Sequence, residues 1–167
     1  MRDNSEPIVS LAGADSALLA AILELNCQNV VALSELDAAK LRILIDNSFW
    51  AAGTGSGSAF LLAVDQDSAY DSPNFRWFRR RFSRFVYVDR IAVAEHARGQ
   101  GLAASLYRGL FEQALRRGQF LVTCEVNVDP PNPESDRFHD AFGFARVGLG
   151  HVNAQKTVRY LIKSLRD

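Results

Sequence analysis

The chain has 167 residues, 48% of them hydrophobic, and its 19 Lys and Arg balance its 19 Asp and Glu to a formal net charge of zero. That length suits a single domain over residues 1–167, the apolar share excludes disorder, and the neutral balance excludes a global pull toward nucleic acid or an anionic membrane. No apolar run, Ala59–Val64 included, is long enough to span a bilayer, the first seven residues lack the apolar core of a secretory signal, and two cysteines make no disulfide framework, so a cytoplasmic location is the default expectation.

Residues 7–11 read as a short strand, and 14–25 as a helix in which Leu18, Leu19, Ile22 and Leu25 recur at helical spacing. A turn over 33–37 offers Ser34 or Asp37 as the cap of a second helix running to Ile45. Strands over 50–53 and 59–65 flank the Gly/Ser-rich turn 54–58 and form a hairpin. Residues 70–74 are a loop, and 75–84 carry five arginines among aromatics. A strand rich in Val, Ile and Tyr covers 85–93. A helix covers 101–117, with Leu102, Leu106, Leu110 and Ala114 on one face and Gly118 as its C-terminal cap. A strand over 120–126, a break at Pro130, Pro131 and Pro133, a short helix over 134–142 ended by Gly143, and strands over 144–150 and 157–165 complete the order. Cys27 and Cys124 lie in apolar segments and are expected to be reduced and buried. Interleaved strands and helices, with one early hairpin and two consecutive strands at the end, predict an α/β (α+β) fold: a mixed central sheet flanked by helices.

The 75–84 segment admits several readings. Arginines interleaved with aromatics bind nucleic acid by phosphate contact and stacking, attract anionic ligands, or form a homodimer contact. The preferred reading is an amphipathic surface element, with Trp77, Phe78 and Phe82 inward and the arginines over the surface.

A strand ending at Val93, a loop with Gly99 and Gly101, and a helix from Gly101 together make an anion site. The first amides of a helix lack helical partners, the dipole adds about half a positive charge, and glycine lets a phosphate approach the backbone. Arg98 adds a charge-assisted contact. A tight turn with no ligand is the bland alternative. Gly99-x-Gly101-x-x-Ala104 also satisfies the dinucleotide fingerprint, with Glu125 near the distance of a ribose-binding acid, but a dinucleotide domain opens with that motif and this one comes after residue 95. No Gly-Lys-Ser or Gly-Lys-Thr follows, which disfavours a kinase-type phosphate loop.

The segment Ile91-Ala92-Val93-Ala94-Glu95-His96-Ala97-Arg98-Gly99-Gln100-Gly101-Leu102-Ala103 resembles the acetyl-coenzyme A loop of the GNAT superfamily of N-acetyltransferases, and 132–144 resembles that family's Asn-x-x-Ala-x-x-Phe-Tyr-x-x-x-Gly-Phe segment, departing from it at Ser135 and His139. The two motifs in order cover about half of the chain, residues 85 to 165; the first half agrees only in its order of elements. The resemblance implies a splayed strand pair, with the pantetheine arm against Ile91, Ala92 and Val93. It implies the pyrophosphate on Arg98, Gly99, Gln100, Gly101, Leu102 and Ala103, and contacts from Asn132 and Ser135. It implies direct acetyl transfer to a primary amine of a small molecule or peptide. His139 stands where the family often has a Tyr acid, and is the candidate acid. The base candidates are Asp89 first and Glu125 second. Arg90, the next residue along the strand from Asp89, points to the other face and is not an obvious partner for it. Glu24, Asn26 and Tyr87 are candidates for the acceptor wall, with Tyr70 and Asp71 beside them. Phe138, Phe142 and Phe144 are expected in the core. No metal is implied, since His96, His139 and His151 show no ligand spacing. Two rival readings stand beside the enzyme: a coenzyme A binding module without catalysis, and an RNA-binding adaptor built on 75–84.

Overall fold

The computed structural model describes residues 6–166, so the reading of residues 1–5 lies outside the described residues. The chain runs β1 (Ile8–Ser10), α1 (Ser16–Gln28), α2 (Ala38–Asp46), β2 (Trp50–Thr54), β3 (Ala59–Asp65), α3 (Pro73–Arg79), β4 (Val86–Val93), a 3₁₀ turn (Glu95–Ala97), α4 (Leu102–Arg116), β5 (Leu121–Asp129), α5 (Pro133–Ala141), β6 (Ala145–Asn153) and β7 (Lys156–Ser164). The strands form one seven-stranded sheet in the order β1-β2-β3-β4-β5-β7-β6, in which only β4 and β5 run parallel. This is the mixed, helix-flanked sheet that the alternation of elements predicts.

Short polar side chains decide where most helices start. Asp15 accepts from the Leu18 amide at 2.9 Å, Asp37 from Lys40 at 2.8 Å, Ser72 from Phe75 at 3.1 Å and Asn132 from Ser135 at 3.2 Å. Asp37, and not Ser34, therefore caps α2. Ser72 followed by Pro73 starts α3 inside the stretch expected to be loop, because proline suits the first helical position. Helix α4 differs: its N-cap is Gly101 at φ 78°, and no side chain caps it.

The larger core gathers α1, α2 and α4 with the sheet around Phe60, Leu61, Leu106, Tyr107 and Leu110. Gly109 lets Trp50 lie against α4, since an added Cβ would stand 2.8 Å from the indole. A second, aromatic core holds Phe75, Phe78, Phe85, Tyr87 and Tyr160. Here the arginine-rich segment resolves as the preferred reading has it. Phe75 and Phe78 are fully buried, Arg79, Arg80 and Arg81 are exposed, and Arg81 lies 3.8 Å over the Trp77 ring, which itself stacks on Tyr160. Phe144 is buried, and Phe138 and Phe142 are half-buried and stacked at 4.7 Å. One expectation is corrected: Cys27 is exposed on the last turn of α1, while Cys124 is buried.

Candidate active site

Strands β4 and β5 pair only at Val86 with Val122 and Tyr87 with Thr123, and then diverge. From Val88 onward a wedge opens in the middle of the sheet. An outer groove of about 480 Å³ continues from it, lined by Ile91, Ala92 and Val93 of β4, by Arg98, Gly99, Gly101, Leu102 and Ala103 at the start of α4, and by Asn132, Ser135 and His139 of α5. Ten of the eleven residues expected to hold the cofactor therefore share one groove. Gln100 does not line it; its amide turns back to the His96 carbonyl at 3.3 Å.

The loop before α4 suits a phosphate. Gly99 and Gly101 both take positive φ, and a Cβ added at either would meet no atom within 4 Å. The backbone is bare toward the groove, and the first amides of α4 are not claimed by a side-chain cap. Arg98 reaches the Val93 carbonyl at 3.4 Å and stands 3.8 Å from Glu134 at an exposed edge, so its cation borders the groove.

At its inner end lies a smaller cavity of about 70 Å³ between β4 and β5, lined by Val88, Asp89, Arg90, Tyr107, Cys124, Glu125 and His139 among others. Successive residues of a strand point to opposite faces, so Cys124 and Glu125 flank this gap from the two sides of the sheet. Glu125 Oε1 accepts from the Tyr87 hydroxyl at 2.9 Å and from Asn74 Nδ2 at 3.1 Å, and Tyr160 donates to Asn74 Oδ1 at 2.9 Å. Its other oxygen, Oε2, is sealed from water and has no hydrogen-bond partner among the described residues. Burial raises the Glu125 carboxyl to about 7, against the lowering effect of the Tyr87 bond. A carboxylic acid with one free oxygen, titrating near neutrality inside a cavity, is equipped to take a proton there.

Asp89 is spoken for. The ladder between β3 and β4 pairs Leu62 with Arg90 and Ala63 with Val88, so Asp89 is the extra residue of a bulge. The bulge breaks the alternation of side chains, and this corrects the reading that Arg90 is no partner for it. Arg90 Nε donates to Asp89 Oδ2 at 2.7 Å, with both side chains about 5% exposed or less. Tyr70 donates to Asp89 Oδ1. The Arg90 guanidinium further meets Asn26 Oδ1 at 2.9 Å and Ser34 Oγ at 3.0 Å. Of the two acids, Glu125 keeps an unpartnered oxygen while both oxygens of Asp89 are bonded, the reverse of what the sequence order expects of a base.

Three further expectations change. Asn26 is fully buried and spends its amide on Arg90 and on the Ser34 carbonyl, so it braces β4 instead of facing a ligand. Tyr87 is 1% exposed and serves Glu125. Glu24 is exposed, bonds to Gln28 and lines neither cavity. His139, the candidate acid, has both ring nitrogens engaged. It is buried, its Nδ1 lies 2.7 Å from the Ser135 carbonyl oxygen, and its Nε2 lies 2.7 Å from the Tyr107 hydroxyl. A carbonyl only accepts, so Nδ1 carries the proton and Nε2 receives the Tyr107 hydroxyl. Burial also holds the imidazole below its ordinary pKa, so it is neutral near pH 7. Sequence reading missed Tyr107, which looks like one more apolar-face residue of α4, and Asn74, whose bond to Glu125 spans 51 positions.

Comparison with known proteins agrees with this geometry. Residues 49–144, more than half of the chain, match the model of the acetyltransferase (GNAT) family. An acetyltransferase of Agrobacterium fabrum is 31% identical over 80 residues, which are 47% of this chain and 56% of that protein, so the match spans little more than half the length of this curated relative. Among solved structures, Ard1 from Thermoplasma volcanium superposes with a TM-score of 0.73 at 13% identity, over 96% of this chain and 98% of that one. The structure of yncA from Salmonella typhimurium with its cofactor acetyl-CoA gives 0.68 at 19%, over 98% and 96%. An aminoglycoside 6'-N-acetyltransferase complexed with coenzyme A gives 0.72 at 11%, over 96% and 98%. At these identities the structural likenesses show a shared fold.

Proposed function

The chain belongs to the acetyltransferase (GNAT) family, and from that premise we propose that it transfers an acetyl group from acetyl-coenzyme A directly to a primary amine. The observation that carries this reading is the wedge between β4 and β5, with a bare glycine turn at one end of its groove and a buried acid with a free oxygen at the other.

Acetyl-coenzyme A supplies the acetyl group as a thioester, the electrophile of the reaction. Its pyrophosphate fits the amides of residues 98–103 with Arg98 at the border, and its extended arm fits the β4 edge at Ile91, Ala92 and Val93, whose ladder to β5 is open. Asn132 and Ser135 close the other wall. The acceptor enters the gap from the Glu125 face. Glu125 Oε2 takes the proton of the attacking nitrogen, and Tyr87 and Asn74 hold Oε1 so that the free oxygen keeps one direction. The bulge at Asp89, clamped by Arg90 and Tyr70, fixes the shape of β4 beside the cavity.

A coenzyme A binding module has no need of a buried acid that titrates near neutrality, since such a group lowers stability and contributes nothing to holding a pyrophosphate. The RNA reading is also disfavoured: Arg76 pairs with Asp71 at 3.0 Å, and Arg79 and Arg81 cover aromatic rings. The structural neighbours include a complex bound to a peptide and an aminoglycoside acetyltransferase, and both acceptor classes belong in a first screen. The test follows thiol release from acetyl-coenzyme A across a panel of amines. The natural protein releases thiol with at least one amine, and Glu125→Gln releases it at least about 10²-fold more slowly. Equal rates for the two proteins overturn the role of Glu125.

A further inference from the structure

The family's usual tyrosine is missing from α5, and His139, which stands in its place, faces Tyr107 with a lone pair and not with a proton. The leaving sulfur still needs a donor as its charge develops. Within the inner cavity the hydroxyl groups are those of Tyr107 and Ser135. Ser135 also lines the outer groove, and its Oγ lies 3.3 Å from His139 Nδ1. Tyr107 lines the inner cavity only, where it stands with Cys124 on the side of the sheet opposite Glu125.

We propose that the Tyr107 hydroxyl is the hydrogen-bond donor to the sulfur of the departing coenzyme A, and that His139 is the positioning residue that holds that hydroxyl until charge appears. This rests on the acetyl-coenzyme A reading above. In the resting site the Tyr107 hydroxyl donates its proton into a neutral hydrogen bond to His139 Nε2 and keeps it. When the acceptor nitrogen adds to the carbonyl carbon and the C–S bond breaks, the electron pair stays on sulfur. The nitrogen's proton goes to Glu125. The Tyr107 O–H turns from Nε2 to the sulfur and keeps its own proton, so no further acid is required and the charges balance. A hydrogen bond to an anion is roughly twice as strong as a neutral one, so the exchange favours the transition state over the resting state. Tyr107 is held for this by its helix: its ring is fully buried against Phe111, Phe138, Phe142 and Phe144, which leaves the hydroxyl rotor as its free motion.

The test reads the thiol of bound coenzyme A, not turnover. Coenzyme A and desulfo-coenzyme A are titrated into the natural protein, Tyr107→Phe and His139→Leu, and the pKa of the bound thiol is followed by thiolate ultraviolet absorbance against the desulfo complex. The natural protein lowers the bound thiol's pKa relative to Tyr107→Phe by about one unit, the size of one charge-assisted hydrogen bond. His139→Leu lowers it further, because the hydroxyl has lost its competing acceptor. A structural role for Tyr107 predicts no such opposite pair of shifts. The same thiol pKa in the natural protein and Tyr107→Phe overturns the inference while leaving the cofactor site intact. If Tyr107→Phe does not fold, an unchanged or raised pKa in His139→Leu overturns it instead. Failure of both coenzyme A and desulfo-coenzyme A to bind the natural protein overturns the acetyl-coenzyme A reading together with it.

Discussion

Glu125 and Asp89 are both carboxylates set in strands of one sheet, yet their surroundings give them different work. Asp89 meets a guanidinium and a phenol, whereas Glu125 meets only a phenol and an amide and keeps one oxygen free. The raised carboxyl makes two predictions of linked sign. Activity rises as Glu125 ionises, so the acetyl-transfer rate climbs through about pH 7, and Glu125→Gln loses that limb along with most of the rate. Stability runs the other way. The folded state holds this proton up to about pH 7 while an unfolded Glu releases it near 4.5, so the folded state weakens as pH rises between those values. Glu125→Gln therefore raises the melting temperature above pH 7 and leaves it nearly unchanged at pH 4. A variant that melts lower at pH 8 contradicts this account of the site. Arg90 is the complementary case. Arg90→Met leaves Asp89 and Asn26 buried without their partner and costs about 3–5 kcal/mol in denaturant unfolding; a loss under about 1 kcal/mol contradicts the bracing role. At this scale the sequence offered both acids as base candidates, Asp89 first, with no view of their partners. The bulge that turns Arg90 toward Asp89 leaves no local signature, and further partners that sort the two acids, Tyr70 and Asn74, stand well apart from them in the chain.

At the scale of elements the reading from sequence held better, because period and punctuation are local. Leu102, Leu106, Leu110 and Ala114 are all buried on α4, as their spacing predicts, and Gly118 takes positive φ at its end. The glycine turn before α4 was legible for the same reason: two glycines between a strand and a helix mark the junction, and both take positive φ. The misplaced edges have local causes too. Helix α3 begins inside the stretch read as loop because Ser72 and Pro73 start it there, and β5 runs on to Asp129 because β7 pairs with it up to Thr157. Contacts between elements were not legible, and Gly109 is the clearest instance. It sits inside α4 and admits the Trp50 ring. Gly109→Val forces a branched side chain into that ring and lowers stability by about 1–3 kcal/mol in denaturant unfolding, despite the better helix propensity of valine. A neutral or stabilising result contradicts the packing of α4 on β2.

Across the whole molecule, the divergence of β4 from β5 gives one chain two entrances to a single point. The groove along β4 and α4 leads in from the Tyr107 side, and Glu125 faces the gap from the other, backed by the aromatic cluster of Phe75, Phe78, Tyr87 and Tyr160. In the proposed reaction, cofactor and acceptor meet through the sheet without competing for the same wall. The Glu125 side is the less legible half in sequence, since the hydrogen bonds that hold it come from Asn74, Tyr87 and Tyr160, which are scattered along the chain with no motif. The groove side takes most of its lining from one continuous stretch, residues 91–104, and so it bears the most direct test. Calorimetric titration with acetyl-coenzyme A compares the natural protein with Gly101→Glu, whose carboxylate enters the open space beside the first amides of α4. The natural protein is expected to bind at micromolar strength or better, and the folded variant to lose that binding. Absence of binding in the natural protein, or equal binding in both, contradicts the assignment of this groove to acetyl-coenzyme A.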